Sequence, residues 1–329
     1  MKRFTKERSQ ACRALRRNAK VSNMSEHVVV TEVGPRDGLQ MAQSIMPTQA
    51  KIQWITAMAG AGISEIEVGS FVPATVVPQM ADTAEIVAAS LTIPAMRVIA
   101  LVPNLKGAQR AYESGAHAVV VPVSVSEAHS RANIRKGSRE QVDEVRQIVD
   151  WVRKQGRPMK VDAGCATAFG CSIDGNIPES RVLEIATALA EAGVDGIALA
   201  DTVGYGNPAQ VRSLVRAVRS AVGAKLERLH LHDTMGLGIA NALAGLDEGI
   251  RCFDSALGGL GGCPFAPGAS GNIVTEDLVF MLESMGFRTG IDLDRLLEAR
   301  AYLRRGIPDE ALLGNVALAG IPNTYRRAA

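Results

Sequence analysis

Arg228-Leu229-His230-Leu231-His232-Asp233 is the stretch on which the reading of this chain turns. Its alternation predicts a β-strand, and residues two apart in a strand face the same way. Both imidazoles therefore project from one face while Leu229 and Leu231 pack on the other. A pair of imidazoles suggests a metal site; the bland alternative is two polar residues at a strand end. Choosing between them needs further ligands, and so a fold.

Outward from this strand, β-rich runs recur at residues 28–33, 63–68, 97–102, 118–123, 159–163, 196–200, 228–232 and 251–255. Amphipathic or Ala-rich stretches separate them, at roughly 48–60, 82–90, 106–114, 138–155, 179–192, 208–222, 237–248 and 274–285. Eight strands alternating with eight helices predict an α/β chain folded as a (β/α)₈ TIM barrel. A doubly wound dinucleotide fold would want G-x-G-x-x-G at its first strand. The nearest match is Gly236-Leu237-Gly238 after the seventh strand, with Asn241 where the third glycine belongs, and no P-loop string occurs. Residues 292–305 read as another helix and 306–329 as a short mixed segment. The expected organisation is a basic extension over 1–23, a catalytic barrel over 24–290 and a C-terminal helical flank over 291–329.

The chain has 329 residues, 47% hydrophobic and 21% charged, enough for one large barrel. No apolar run reaches 18 residues, so no membrane span is expected. The net charge of +2 hides an asymmetry: residues 1–23 carry eight Lys or Arg against Glu7 alone. The remainder has 28 basic and 33 acidic residues, a net −5. The basic head lacks the apolar region of a secretory signal. It reads as a disordered appendage, either upstream of a start at Met24 or a transit-like segment. The expected location is accordingly the cytoplasm, or the mitochondrial matrix if the head is a transit segment. An acidic body with 4% aromatics argues against nucleic-acid binding. Five widely spaced cysteines, Cys12, Cys165, Cys171, Cys252 and Cys263, without a C-x-x-C pair, read as reduced thiols.

In a barrel the loops after the strands build the active face. Arg36 and Asp37 follow strand 1, Glu67 and Ser70 end strand 2, Asp201 and Thr202 end strand 6, and His230, His232 and Asp233 end strand 7. After strand 8 comes GGLGGCPFAPGASGN, residues 258–272. Two imidazoles, the carboxylate of Asp37 and the amide oxygen of Asn272 make a mixed N/O donor set that suits Mg²⁺ or Mn²⁺. Zinc sites more often recruit thiolate or a third histidine. A two-histidine, one-carboxylate set also raises an iron oxygenase, against which the barrel context counts. Arg36 could hold a carboxylate or meet a developing enolate oxygen, with Glu67 as its partner. Glu65, on the same face as Glu67, has no role from sequence. Asp201-Thr202-Val203-Gly204 and Asp233-Thr234-Met235-Gly236 echo each other, and helix capping or turn formation explains both as readily as chemistry. The six-glycine loop reads as a mobile cover with Cys263 as its acid/base candidate; Cys171 is a weaker one.

Val33-Gly34-Pro35-Arg36-Asp37-Gly38-Leu39-Gln40, Phe71-Val72-Pro73, Val77-Pro78-Gln79-Met80, Pro103-Asn104-Leu105-Lys106-Gly107, His230-Leu231-His232-Asp233-Thr234 and the 258–272 loop followed by Thr275-Glu276-Asp277 together resemble the 3-hydroxy-3-methylglutaryl-CoA lyase family of the DRE-TIM metallolyases. The resemblance spans roughly residues 27–300. It implies Asp37, His230, His232 and Asn272 as ligands of a divalent metal, Mg²⁺ or Mn²⁺. It also implies catalytic roles for Arg36, Glu67 and Cys263, and a secondary one for Asp201. Substrate contacts are expected from Arg36, Ser70 and Thr202. The implied reaction splits a tertiary 3-hydroxyacyl-CoA into acetyl-CoA and a ketone, acetoacetate for the family's usual substrate, in a homo-oligomer expected to be a dimer. The alternatives are cleavage of a related thioester such as citramalyl-CoA, or the reverse condensation. Two departures bear on the acyl substituent: the Asp162-Ala163-Gly164-Cys165-Ala166-Thr167 segment, and a C-terminus without a terminal cysteine.

Overall fold

The computed structural model describes residues 26–262 and 271–327; the basic head with Met24 and Cys12, and the loop centre with Cys263, lie outside them. Eight strands form: β1 Val29–Glu32, β2 Glu65–Ser70, β3 Arg97–Leu101, β4 Ala118–Ser124, β5 Lys160–Ala166, β6 Gly196–Asp201, β7 Leu226–Leu231 and β8 Cys252–Ser255. Each pairs in parallel with the next in sequence, and β8 returns to β1 with Val29 opposite Cys252, which closes the barrel. The predicted architecture holds.

Outward-facing Ile66, Val98, Val119, Leu199 and Phe253 are completely buried under a ring of helices. Strands covered on both faces are apolar for most of their length, which is why these runs stood out in the sequence. The ring is α1 Thr48–Gly60, α2 Thr83–Ser90, α3 Leu105–Glu113, α4 Glu127–Ile134, α5 Ser138–Val152, α6 Glu179–Glu191, α7 Pro208–Val222, α8 Gly238–Asp247 and α9 Thr275–Ser284. Helix α4 was not expected. Ser126 caps it by accepting from the His129 backbone N–H at 3.0 Å, so His129, expected in a loop, sits in its first turn. Beyond the barrel, α10 Leu293–Gly306 and α11 Asn315–Ala319 follow. Leu293, Leu296, Ala299, Leu303 and Val316 join the same buried cluster as the barrel strands, so the C-terminal flank shares one core with it. No helix among the described residues is long and apolar enough to cross a membrane.

Candidate metal centre and active site

The site lies where the chain leaves β1, β2, β7 and β8. A π-helical turn, Gly34–Gly38, carries Arg36 and Asp37: the N–H groups of Asp37 and Gly38 both reach back to the Val33 carbonyl, at 2.7 and 3.5 Å. Glu32, just before it, is fully buried and organises three segments at once. Its carboxyl accepts from Gly34 N at 2.9 Å, from Leu257 N at 3.0 and 3.1 Å, and from the Thr275 hydroxyl at 2.7 Å. It thereby ties the Arg36–Asp37 turn to the start of the glycine loop and to the residues after Asn272. Burial pushes the Glu32 carboxyl up to about 7.

The described ends of that loop explain much of its glycine content. A Cβ on Gly271 would sit 2.0 Å from the Gly259 carbonyl oxygen, and one on Gly261 2.9 Å from the Asn272 amide. Gly261 also has φ +97°. Close packing against the site, rather than freedom to move, requires glycine at these positions.

Ligand atoms of Asp37, His230 and His232 all lie within 4.8 Å of one another. The two imidazole Nε2 atoms are 3.2 Å apart, and Asp37 Oδ2 is 3.4 Å from His232 Nε2 and 3.9 Å from His230 Nε2. Ligands of a hard divalent cation at ~2.1 Å stand about 3 Å apart when adjacent, so these atoms need move little to share one ion. His230 sits opposite Asp254 in the β7–β8 register, with Nδ1 and Asp254 Oδ2 3.2 Å apart. That contact fixes the tautomer and leaves Nε2 free to ligate. Asn272 donates Nδ2 to Asp37 Oδ2 at 2.6 Å and to the Leu260 carbonyl at 3.0 Å, while its Oδ1 is buried without a partner. A buried amide oxygen with no donor is what a cation would satisfy, and the donor set fits a divalent metal.

Arg36 bridges two carboxylates, contacting Asp37 Oδ1 through Nη1 and Glu67 Oε2 through Nη2 at 2.9 Å. Burial opposes the Asp37 charge, but Arg36 and the two imidazoles outweigh it and hold the carboxyl well below the usual range. Glu67 goes the other way: burial dominates and raises it despite Arg36. For His230, burial favours the neutral ring, and contact with Asp254 and Asp37 reverses the balance upward.

Of the expected residues, the fold brings together Arg36, Asp37, Glu67, His230, His232 and Asn272. Thr202 lines the cavity beside them, its hydroxyl accepting from Thr167 N at 2.8 Å. Ser70 is not among the lining residues; its hydroxyl accepts from Val72 N at 3.2 Å. Asp201 is fully buried, and its two oxygens accept from Tyr205 N at 3.0 Å and Gly206 N at 2.9 Å. Its echo Asp233 accepts from Gly238 N at 2.6 Å at the start of α8. Both repeats thus organise turns. Cys171 is buried, its sulfur accepting from Ile173 N at 3.3 Å. The sequence reading missed Asp254 and Glu32. Period two from Cys252 puts Asp254 on the inner face of β8, a signal that was present and unused. Glu65 now has a role: it pairs with Arg97 at 2.9 Å and Arg228 at 3.1 Å inside the barrel.

The HMGL-like family model matches residues 27–303. The chain is 40% identical over 289 residues to the cytoplasmic 3-hydroxy-3-methylglutaryl-CoA lyase of Rattus norvegicus, covering 88% of this chain and 84% of that one. It is 38% identical over 276 residues to the hydroxymethylglutaryl-CoA lyase YngG of Bacillus subtilis, covering 84% and 92%. Among solved structures, an HMG-CoA lyase from Acinetobacter baumannii in complex with coenzyme A and 3-methylmalate superposes with a TM-score of 0.85 at 40% identity, covering 91% of this chain and 97% of that one. The barrel, its register and these matches agree: the chain belongs to the HMGL-like family.

Proposed function

We propose that this protein is a divalent-metal-dependent carbon–carbon lyase that cleaves 3-hydroxy-3-methylglutaryl-CoA to acetyl-CoA and acetoacetate. The observation that carries this reading is the convergence of Asp37, His230 and His232 beside the buried guanidinium of Arg36, at the head of a cavity large enough for an acyl group. Asp37, His230, His232 and Asn272 would hold the ion, for which this donor set favours Mg²⁺ or Mn²⁺. Such a cation supplies acidity to a hydroxyl it binds.

The substrate's C3 hydroxyl loses its proton to a base, its electrons form the ketone, and the C2–C3 pair passes onto the thioester as an enolate. Arg36, always charged, faces that developing oxyanion, and Glu67 fixes the guanidinium from the opposite side. Asp254 holds His230 in the ligating tautomer. The Cys263 thiol is the proposed donor of the proton that converts the enolate carbon to the acetyl methyl. Asp201 supports the rim through the loop after β6, whose Tyr205 and Gly206 N–H groups donate to it, and Thr202 is the retained candidate for substrate contact. The same reading carries the expectation of a homodimer, which native mass spectrometry checks.

Purified protein supplied with Mg²⁺ or Mn²⁺ should release acetyl-CoA from 3-hydroxy-3-methylglutaryl-CoA. Failure to cleave any member of a 3-hydroxyacyl-CoA panel with metal present would overturn the assignment.

A further inference from the structure

The inner face of a (β/α)₈ barrel is ordinarily filled by bulky branched side chains. Here the strand register sets a polar row in their place. Arg97 on β3 lies opposite Glu65 on β2, Glu65 opposite Thr31 on β1, Thr31 opposite Asp254 on β8, and Asp254 opposite His230 on β7. Five neighbouring strands thus carry one unbroken row that ends on a proposed metal ligand.

Arg228, two residues before His230 and therefore on the same face of β7, ties this row together. Its Nη1 contacts Asp254 Oδ1 and donates to the Thr31 hydroxyl, and its Nη2 donates to Glu65 Oε2 at 3.1 Å. Thr31 in turn donates to Glu65 Oε2 at 3.1 Å, while Arg97 holds the other Glu65 oxygen at 2.9 Å. The side chains of Arg228, Asp254 and Glu65 are only 11%, 12% and 14% exposed, so water competes little for these contacts.

This bonding divides Asp254 between two tasks. Oδ1 goes to Arg228, and Oδ2 lies 3.2 Å from His230 Nδ1. The carboxylate torsion of an aspartate is broad, so one held by an imidazole alone would swing and carry the ring with it. Anchoring Oδ1 fixes the carboxylate plane, and with it the aim of the ring. A planar guanidinium fork can hold groups on β8, β1 and β2 at once in fixed geometry, whereas an ammonium is a point charge. We infer that Arg228 is a positioning residue for the metal centre: braced by Glu65 and Thr31, it fixes the Asp254 carboxylate and so aims His230 Nε2 at the ion. The inference rests on the proposed metal-dependent function and extends its machinery to residues outside the donor set.

The test is the affinity of the purified protein for Mn²⁺ by isothermal titration. Arg228→Lys keeps the positive charge near the ion and removes only the fork, so no change in net charge masks the geometric one. It should weaken Mn²⁺ binding about 10-fold, the low end for losing a group that orients a ligand. Thr31→Val, nearly isosteric, should weaken binding about threefold and carries the test if Arg228→Lys does not fold. A residue with a merely structural role would add its loss to that of any other variant, whereas Arg228 acts through Asp254. The double variant Arg228→Lys/Asp254→Asn should therefore bind Mn²⁺ no more weakly than Asp254→Asn alone. Unchanged affinity in the folded single variant, or losses that multiply in the double variant, overturn the inference and leave the lyase reading standing. Wild-type protein that binds no Mn²⁺ overturns both.

Discussion

The two sides of this barrel are built on opposite plans. Along β7, β8, β1 and β2 the inner face carries His230, Asp254, Glu65 and Glu67, with Arg36, Asp37, His232 and Asn272 at the rim. Several of its polar atoms are buried without partners, among them Asn272 Oδ1, His232 Nδ1 and Glu67 Oε1. Along β4 to β6 the inner face is mostly small, Pro122, Gly164, Ala166, Gly196, Ala198 and Ala200, with Val120, Asp162 and Ile197 deeper down, and the polar rim residues Asp201, Thr202 and Thr167 are engaged in turns. Buried polar atoms lacking a partner are costly, so the three gathered at the mouth are the atoms an ion or substrate would satisfy, with Asp162 Oδ1 on β5 a further such atom deeper in the barrel.

The largest effect should come from removing a proposed metal ligand on the charged side. His232→Ala is expected to lower kcat/KM by at least ~10³-fold, and isothermal titration with Mn²⁺ should show the loss of binding directly. An intact Mn²⁺ affinity in this variant would break the division between the two sides. Asp254→Asn keeps the shape but weakens the orientation of His230, so Mn²⁺ affinity should fall about 10–100-fold. Unchanged affinity would mean that His230 needs no support from behind.

Glu32 gives a pH test of the framework beneath the charged side. The unfolded chain releases this proton near 4.5, whereas the folded protein keeps it to about 7. Between those values the native state binds the extra proton, so the contribution of this group to stability falls as pH rises, then levels off above 7. Glu32→Gln removes that slope. Urea unfolding of wild type should lose about 3 kcal/mol more between pH 4.5 and 8 than the variant does. Parallel pH curves for the two proteins would remove Glu32 from the account. The smallest effect belongs to Ser70→Ala, which deletes a hydroxyl bonded only within its own loop among the described residues. It should cost about 1 kcal/mol or less in the same assay and leave KM within about twofold.

The strands of this protein were legible because parallel strands buried on both faces must be apolar runs, and eight such runs separated by helices admit few closed folds. His230 and His232 were legible as a pair because the strand period is two. Helix α4 was not, since its stretch Glu127–Ile134 buries only His129 and Ser130 and carries no apolar stripe to betray it. The π-helical turn at Gly34–Gly38 was hidden by glycine and proline, which ordinarily signal a loop.

Sequence by itself thus determined the barrel, the candidate donor set and the order of residues around the mouth, because periodicity and residue chemistry are local properties. Tertiary structure alone decided which polar groups face the site and which serve turns. Asp201 and Asp254 are both aspartates at strand ends, yet Asp201 accepts backbone N–H groups in its own loop while Asp254 meets His230 across the β7–β8 register. The interior cavity is equally a tertiary fact. Gly164 and Ala198 leave room only because paired strands, joined through an intervening helix, turn small residues toward the same axis.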